Sequence, residues 1–301
     1  MRNSHLSALT IDVEDGINIS MYDNFKVKME PTSRVVDNVE VILDICEKNS
    51  VTGTFFILGE IAKNYPELIR RIDSLGHEIG VHGYRHHQIF RLSPEKLRED
   101  LKRARGQIGE LIGKEIDGFR APAFSINAKT AWALPIIAES GFTYDSSIFP
   151  SLSLRYGWKG FSKDICRIEL DHSNSLVEVP LSVVRLFGRD IPVGGGGYLR
   201  YFPYDLTRKA ISKIVRQRPA IFYLHPYELD TKKYPDYFHE AVSKAPMKKR
   251  ALLSLYRFKK DTVATKLDRI TKEFKITSMR EIIQKMDERQ KIPNVKLNIW
   301  Q

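Results

Sequence analysis

A chain of 301 residues with 42% hydrophobic content can bury one large α/β core, or a core of roughly 230 residues with an appendage, and disorder is not its default. Lys and Arg number 48 against 37 Asp and Glu, a formal charge of +11, which suits attraction to a polyanion such as an acidic glycan or a membrane surface, and equally suits a plain solvated basic surface. Only Cys46 and Cys166 are present, far apart, which argues against a disulfide framework or a cysteine metal site and fits a reducing compartment.

Residues 1–7 lead straight into an apolar strand, without the long apolar run and cleavage site of a secretory signal, and no run nears the ~20 apolar residues that span a bilayer. A cytoplasmic protein without a transmembrane segment is expected. The stretch ALTIDVEDG reads as a strand in which Leu9, Ile11 and Val13 alternate with Thr10, Asp12 and Glu14, so that both acids share one face. Residues 34–49 carry Val35, Val39, Ile42 and Cys46 at helical spacing, and VTGTFFILG at 51–59 reads as a buried strand. A helix with Pro66 in its first turn and Gly76 at its end follows, then the strand HEIGVHG, which delivers His82. Strands and helices thus alternate over the first ninety residues, with acids and histidines at strand ends, where α/β barrels collect their active sites.

His82 and His86 are four positions apart, able to point to the same side of a turn or short helix. Two neutral imidazoles suit a zinc-like ion and leave room for a carboxylate and a water, although a surface histidine cluster is the alternative reading. Ser93 caps the next helix. DGFRAPAFSIN then sets Arg120 before a rigid Ala-Pro-Ala turn, a helix covers 128–140, and FTYDSSIFP brings Asp145 to a strand end. Residues 151–200 show short strands, ICRIEL and LVEVPLSV, and a run of four glycines that lacks the spacing of a phosphate loop. A flexible loop over the site or a tight backbone approach is expected there. A helix at 205–217 and the strand AIFYLHPYELD follow, the strand ending at His225. Past 231 come charged helices with a partial stripe of Leu267, Ile270 and Phe274, basic clusters at 248–250 and 257–260, and an extended tail.

These motifs, T-I-D-V-E-D-G, His82-G-Y-R-His86, F-Arg120-A-P, Y-Asp145-S-S and L-His225-P, resemble in order the NodB-homology polysaccharide deacetylases, carbohydrate esterase family four, over residues 6–230. The D-V-E-D variant, the glycine segment and L-H-P-Y-E-L-D further resemble the subgroup of exopolysaccharide biosynthesis loci. The resemblance implies a distorted (β/α) barrel of about seven strands over residues 1–230, with a C-terminal helical extension, 231–301, packed on it. It also implies hydrolysis of an N-acetyl group on an amino sugar of a glycan or its precursor, with zinc, or else cobalt or nickel, as the divalent metal.

By the same resemblance His82, His86 and a carboxylate hold the metal, Asp12 is the general base oriented by Arg120, the amide near Ala123 donates to the acyl oxygen, and His225 protonates the leaving amine. Two registers stay open for the first motif: Asp12 as base with Glu14 as ligand, which is preferred, or Glu14 as base with Asp15 as ligand. Tyr84 and Asp145 are further site residues. An N-acetylated glycan is the expected partner and nucleic acid is not, while the basic C-terminal region suits an acidic glycan or membrane surface. Hydrolysis of another, even cyclic, amide and a non-catalytic glycan-binding role are the alternatives.

Overall fold

The computed structural model describes residues 5–151, 157–170, 174–186, 188–247, 250 and 259–297. Alternation along the strands decides the architecture. In β1 (Ser7–Val13), Leu9, Ile11 and Val13 pack outward against helices, while Ala8, Thr10 and Asp12 point to the opposite face. The same division recurs in β2 (Thr54–Ile57), β3 (Glu78–Val81) and, toward the end of the chain, in β10 (Ala220–Leu224). Two-sided burial of this kind requires parallel strands with helices outside and a second core inside.

β4 (Gly118–Phe119), β5 (Tyr144–Asp145) and β7 (Ser175–Glu178) complete a parallel series in the order β10-β1-β2-β3-β4-β5-β7, the seven-stranded arrangement expected of the barrel. β6 (Cys166–Glu169) adds antiparallel to β7, and β8 (Val183–Leu186) with β9 (Arg189–Pro192) forms a separate hairpin. Between β7 and β10 the ring is completed irregularly: Ile221 N donates to Ser182 Oγ (2.7 Å) and Tyr223 N to the Gly194 carbonyl (2.9 Å). Aromatic rings fill the interior, and at Gly80 a Cβ would stand 2.6 Å from the Phe56 ring, so a side chain there would displace that filling.

Outside, α1 (Gly16–Phe25), α2 (Arg34–Lys48), α3 (Gly59–Asn64), α4 (Pro66–Ser74), α5 (Pro94–Ile112) and α6 (Ala133–Glu139) follow the strands. Val35, Val39, Ile42 and Cys46 of α2 are all buried, as their spacing requires. The helix expected over 128–140 is confined to α6, because Asn127 and Thr130 close a hydrogen-bonded turn before it.

Residues after 231 do more than pack on the barrel. Ile276–Thr277, a short strand β11, pairs with β1, and Asn294–Lys296, β12, pairs with β6, so the presumed tail is partly sheet. β11 also splits the charged stretch 266–286 into two helices, Val263–Glu273 and Met279–Asp287. The second closes the barrel floor: Met279 and Ile282 join the interior core, Met279 N donates to Thr54 Oγ1 (2.8 Å), and Arg280 N donates to the buried Glu78 carboxylate (2.9 Å), a favourable place for an anion at a helix N-terminus. Of the basic clusters, residues 248, 249, 257 and 258 lie outside the described residues, as does the tail from 298 onward.

Candidate metal centre

Four strands deliver side chains to one mouth. β1 ends with Asp12 on its inner face and Glu14 just beyond, β3 is followed by His82, β4 by Arg120, and β10 by His225, while β5 ends in Asp145. The link from His82 to His86 is an irregular turn rather than a helix. Gly83 (φ 78°) and His86 (φ 55°) both adopt left-handed backbone, and Asp100 of α5 ties the loop down by accepting from Tyr84 N at 2.8 Å. The two imidazole rings come to rest 5.5 Å apart.

Glu14 Oε2 lies 2.9 Å from His86 Nε2 and 3.8 Å from His82 Nε2, and the three side chains form the one group among the described residues that could hold a metal ion. Two observations fit that use. Glu14 Oε2 is buried with no aligned hydrogen-bond donor among the described residues, and His82 turns its Nδ1 to the Arg120 carbonyl at 2.8 Å, which leaves Nε2 facing the carboxylate. Two imidazole nitrogens and one carboxylate oxygen are also a donor set that zinc accepts.

Asp15, the alternative ligand, points elsewhere. It is the N-cap of α1, with Oδ1 accepting from Ile17 N (2.9 Å) and Oδ2 from Thr32 N (2.5 Å), so both oxygens are engaged away from the imidazoles. Tyr84 is likewise not at the mouth. Its ring packs against Gly59 and under the Arg103 guanidinium at 3.6 Å, and its hydroxyl accepts from Arg103.

Asp12 is buried and accepts from Arg120 Nη1 through Oδ1 at 2.8 Å. Arg120 is itself fully buried, donating also to Thr10 Oγ1 (2.7 Å) and to the carbonyl and hydroxyl of Ser146 (3.0 and 2.9 Å), with its guanidinium 4.3 Å over the Phe56 ring. The Ala-Pro-Ala turn follows, and Ala123 (φ 54°) lies exposed on it in a left-handed conformation. Asp145, by contrast, is wholly buried beside Glu178 and does not reach the mouth.

His225 Nε2 stands 3.4 Å from Glu14 Oε1 and 3.9 Å from Asp12 Oδ2, with its ring stacked on Tyr227 at 4.9 Å. Behind it is Glu228, whose Oε2 lies 3.5 Å from Nδ1 and accepts from the His225 amide at 3.1 Å. Sequence reasoning missed Glu228, although its place three residues after His225 is the spacing at which a carboxylate reaches back to a helix start. The glycine run makes room for it. A Cβ on Gly196 would stand 1.4 Å from Glu228 Oε2, so a tight backbone approach, rather than a flexible loop, explains that run.

Electrostatics polarise the mouth. Burial works against the Glu14 charge, yet His86, His225 and His82 bring the carboxyl down to about 2. Burial also opposes charge on His225, but Glu14, Glu228 and Asp12 lift it to about 9, whereas burial takes His82 down to about 4.

Residues 15–144 match the family model for polysaccharide deacetylases, and residues 146–284 match that of a domain of unknown function. A peptidoglycan-N-acetylmuramic acid deacetylase of Bacillus subtilis is 31% identical over 81 residues, 27% of this chain and 31% of that protein. A peptidoglycan-N-acetylglucosamine deacetylase of Bacillus cereus is 32% identical over 124 residues, 41% of this chain and 42% of that protein. The chain thus spans between about a third and two fifths of these relatives' length. A crystal structure from Mycobacterium smegmatis, of a protein assigned by name to the polysaccharide deacetylases, superposes with a TM-score of 0.64 at 22% identity over 97% of this chain and 94% of that one, which establishes the shared α/β fold. Residues 15–144 are thus similar in sequence to the polysaccharide deacetylases. No helix among the described residues is long and apolar enough to cross a membrane.

Proposed function

We propose that this protein hydrolyses the N-acetyl group of an amino sugar in a glycan or glycan precursor, releasing acetate and a free amine. The observation that carries the reading is the meeting, at one barrel mouth, of the Glu14, His82 and His86 donor set with a buried Asp12–Arg120 pair and with His225. A divalent ion, zinc by the donor chemistry, would be held by Glu14, His82 and His86, and when bound it lowers the pKa of a water and polarises an acyl oxygen.

The chain's own groups supply the remaining chemistry. Asp12 has Oδ1 held by Arg120, so Oδ2 is the oxygen that takes the proton of the attacking water. The exposed turn at Ala123 offers its amide to the acyl oxygen as negative charge grows there. His225 gives the proton on Nε2 to the departing nitrogen, and Glu228 behind Nδ1 keeps the ring aimed and its charged form favoured. Tyr227 stacked on the ring limits its rotation. The family match and the named activities of the relatives support an N-acetylated glycan as substrate. The motif variants of the sequence support a place in exopolysaccharide synthesis.

The test is acetate release from N-acetylated oligosaccharides by the purified chain, alongside elemental analysis. Acetate formed by the wild type and lost on chelation, then restored by zinc, is the expected result. Acetate formation unaffected by complete metal removal would sink the metal-dependent reading.

A further inference from the structure

Two fully buried carboxyl groups take no part in the reaction as proposed. Asp145 ends β5 and Glu178 ends β7, and they are direct partners in the parallel register, so their side chains leave the sheet on the same face. Asp145 Oδ2 and Glu178 Oε2 meet no donor among the other described residues, and the two groups are within hydrogen-bonding reach of each other. Two carboxylates so placed, away from water, cannot both remain ionised, and they share a proton. Burial and the Asp145 charge hold Glu178 well above the usual carboxyl range, and burial raises Asp145 as well.

Their other oxygens lead to the reaction machinery. Asp145 Oδ1 accepts from Ser147 Oγ at 2.5 Å, and Ser147 Oγ in turn accepts from Ala121 N at 2.7 Å, the first residue of the Ala-Pro-Ala turn. Glu178 Oε1 accepts from Ile148 N at 3.0 Å. Directly before these two anchored residues, Ser147 and Ile148, lies Ser146, whose carbonyl and hydroxyl both receive the Arg120 guanidinium.

We propose that Asp145 and Glu178 are positioning residues of this site, which act through residues 146–148 to hold the Arg120 guanidinium against Asp12 and to hold the Ala121–Ala123 turn in place. Without the pair Ser147 Oγ loses its acceptor and is free to turn from the Ala121 amide, which loosens the segment carrying the oxyanion donor. Displacements of under an ångström at such donors are felt in rate. The effect on rate rests on the deacetylase reading, whereas the effect on the backbone does not.

The test compares Glu178→Gln, Asp145→Ala and Ser147→Ala in the full chain, by amide hydrogen exchange across residues 118–126 and by the kinetics of acetate release. Glu178→Gln can donate its amide to Asp145 and still accept from Ile148, so it keeps wild-type exchange, with kcat within about twofold. Asp145→Ala, which takes the acceptor from Ser147 Oγ, exchanges about tenfold faster at Ala121 and loses about tenfold in kcat, with KM and zinc content unchanged. Ser147→Ala, which alters no charge, gives the same signature and stands in if Asp145→Ala does not fold. Unchanged Ala121 exchange in both alanine variants would overturn the proposal. Glu178→Gln as impaired as Asp145→Ala would overturn the shared proton. Faster exchange in the alanine variants, beside a wild type that releases acetate from no glycan, would uphold the anchoring and remove the deacetylase reading.

Discussion

Replacing Arg120 by Met tests how the buried pair at the base of the site is stabilised. Arg120 is 0% exposed and Asp12 1%, so the wild type neutralises one buried charge with another. The substitution frees four acceptor contacts, but their consequences differ. Thr10 Oγ1 still donates to the Phe222 carbonyl (2.6 Å) and Ser146 Oγ to the Val179 carbonyl (2.8 Å), so neither hydroxyl is stranded. Asp12 Oδ1 has no such substitute, and an uncompensated buried charge costs about 3–5 kcal/mol. That is a large part of the roughly 5–15 kcal/mol that holds a domain folded. Urea denaturation should therefore show Arg120→Met with a much lower midpoint at unchanged slope. The double variant Asp12→Asn with Arg120→Met removes both charges and should recover about 2 kcal/mol of the loss. A double variant no more stable than the single one would refute the argument that the stranded Asp12 charge is the source of the cost.

His82→Ala should lose bound zinc by elemental analysis after dialysis, while Asp12→Asn retains it and loses about 10²–10⁴-fold in rate; zinc retained by the first or lost by the second reverses their assigned roles. Gly196→Ala must push Glu228 aside, because its Cβ would lie 1.4 Å from that carboxylate, and should cost about 1–3 kcal/mol in a thermal melt, whereas Gly197→Ala, with nothing within 4 Å, serves as the neutral control. The charge of His225 stabilises the metal-free protein fully below its ordinary value of 6.5, and this contribution is lost as pH rises through about 9. Glu14 behaves oppositely, contributing above about 4.5 and losing its effect as pH falls through about 2. Denaturation midpoints of the metal-free wild type should therefore fall between pH 6.5 and 9 more steeply than those of His225→Gln, and parallel curves would contradict the assignment.

Much of the barrel was legible in the chain because strands repeat every two residues. Leu9, Ile11 and Val13 had to face one way and Thr10 and Asp12 the other, and the same rule put His82 and His225 at strand ends, where a parallel barrel opens. The helices were legible for a similar reason, since a stripe such as Val35, Val39, Ile42 and Cys46 has one way to be buried.

Local pattern could not say which carboxylate faces the histidines. Asp15 is withdrawn by the amide of Thr32, seventeen residues away, a contact that no spacing in the first motif encodes. Tyr84 sits inside the histidine motif yet belongs to the packing of α5, because the guanidinium that covers it comes from Arg103. A charged helix with a partial apolar stripe reads as surface cover, and only the folded chain shows Met279 and Ile282 closing the barrel floor over Glu78. The pairing of Asp145 with Glu178 likewise depends on strand register across 33 residues. Periodicity sets which face a side chain takes, whereas the identity of its partner is a long-range contact that exists only once the barrel has closed.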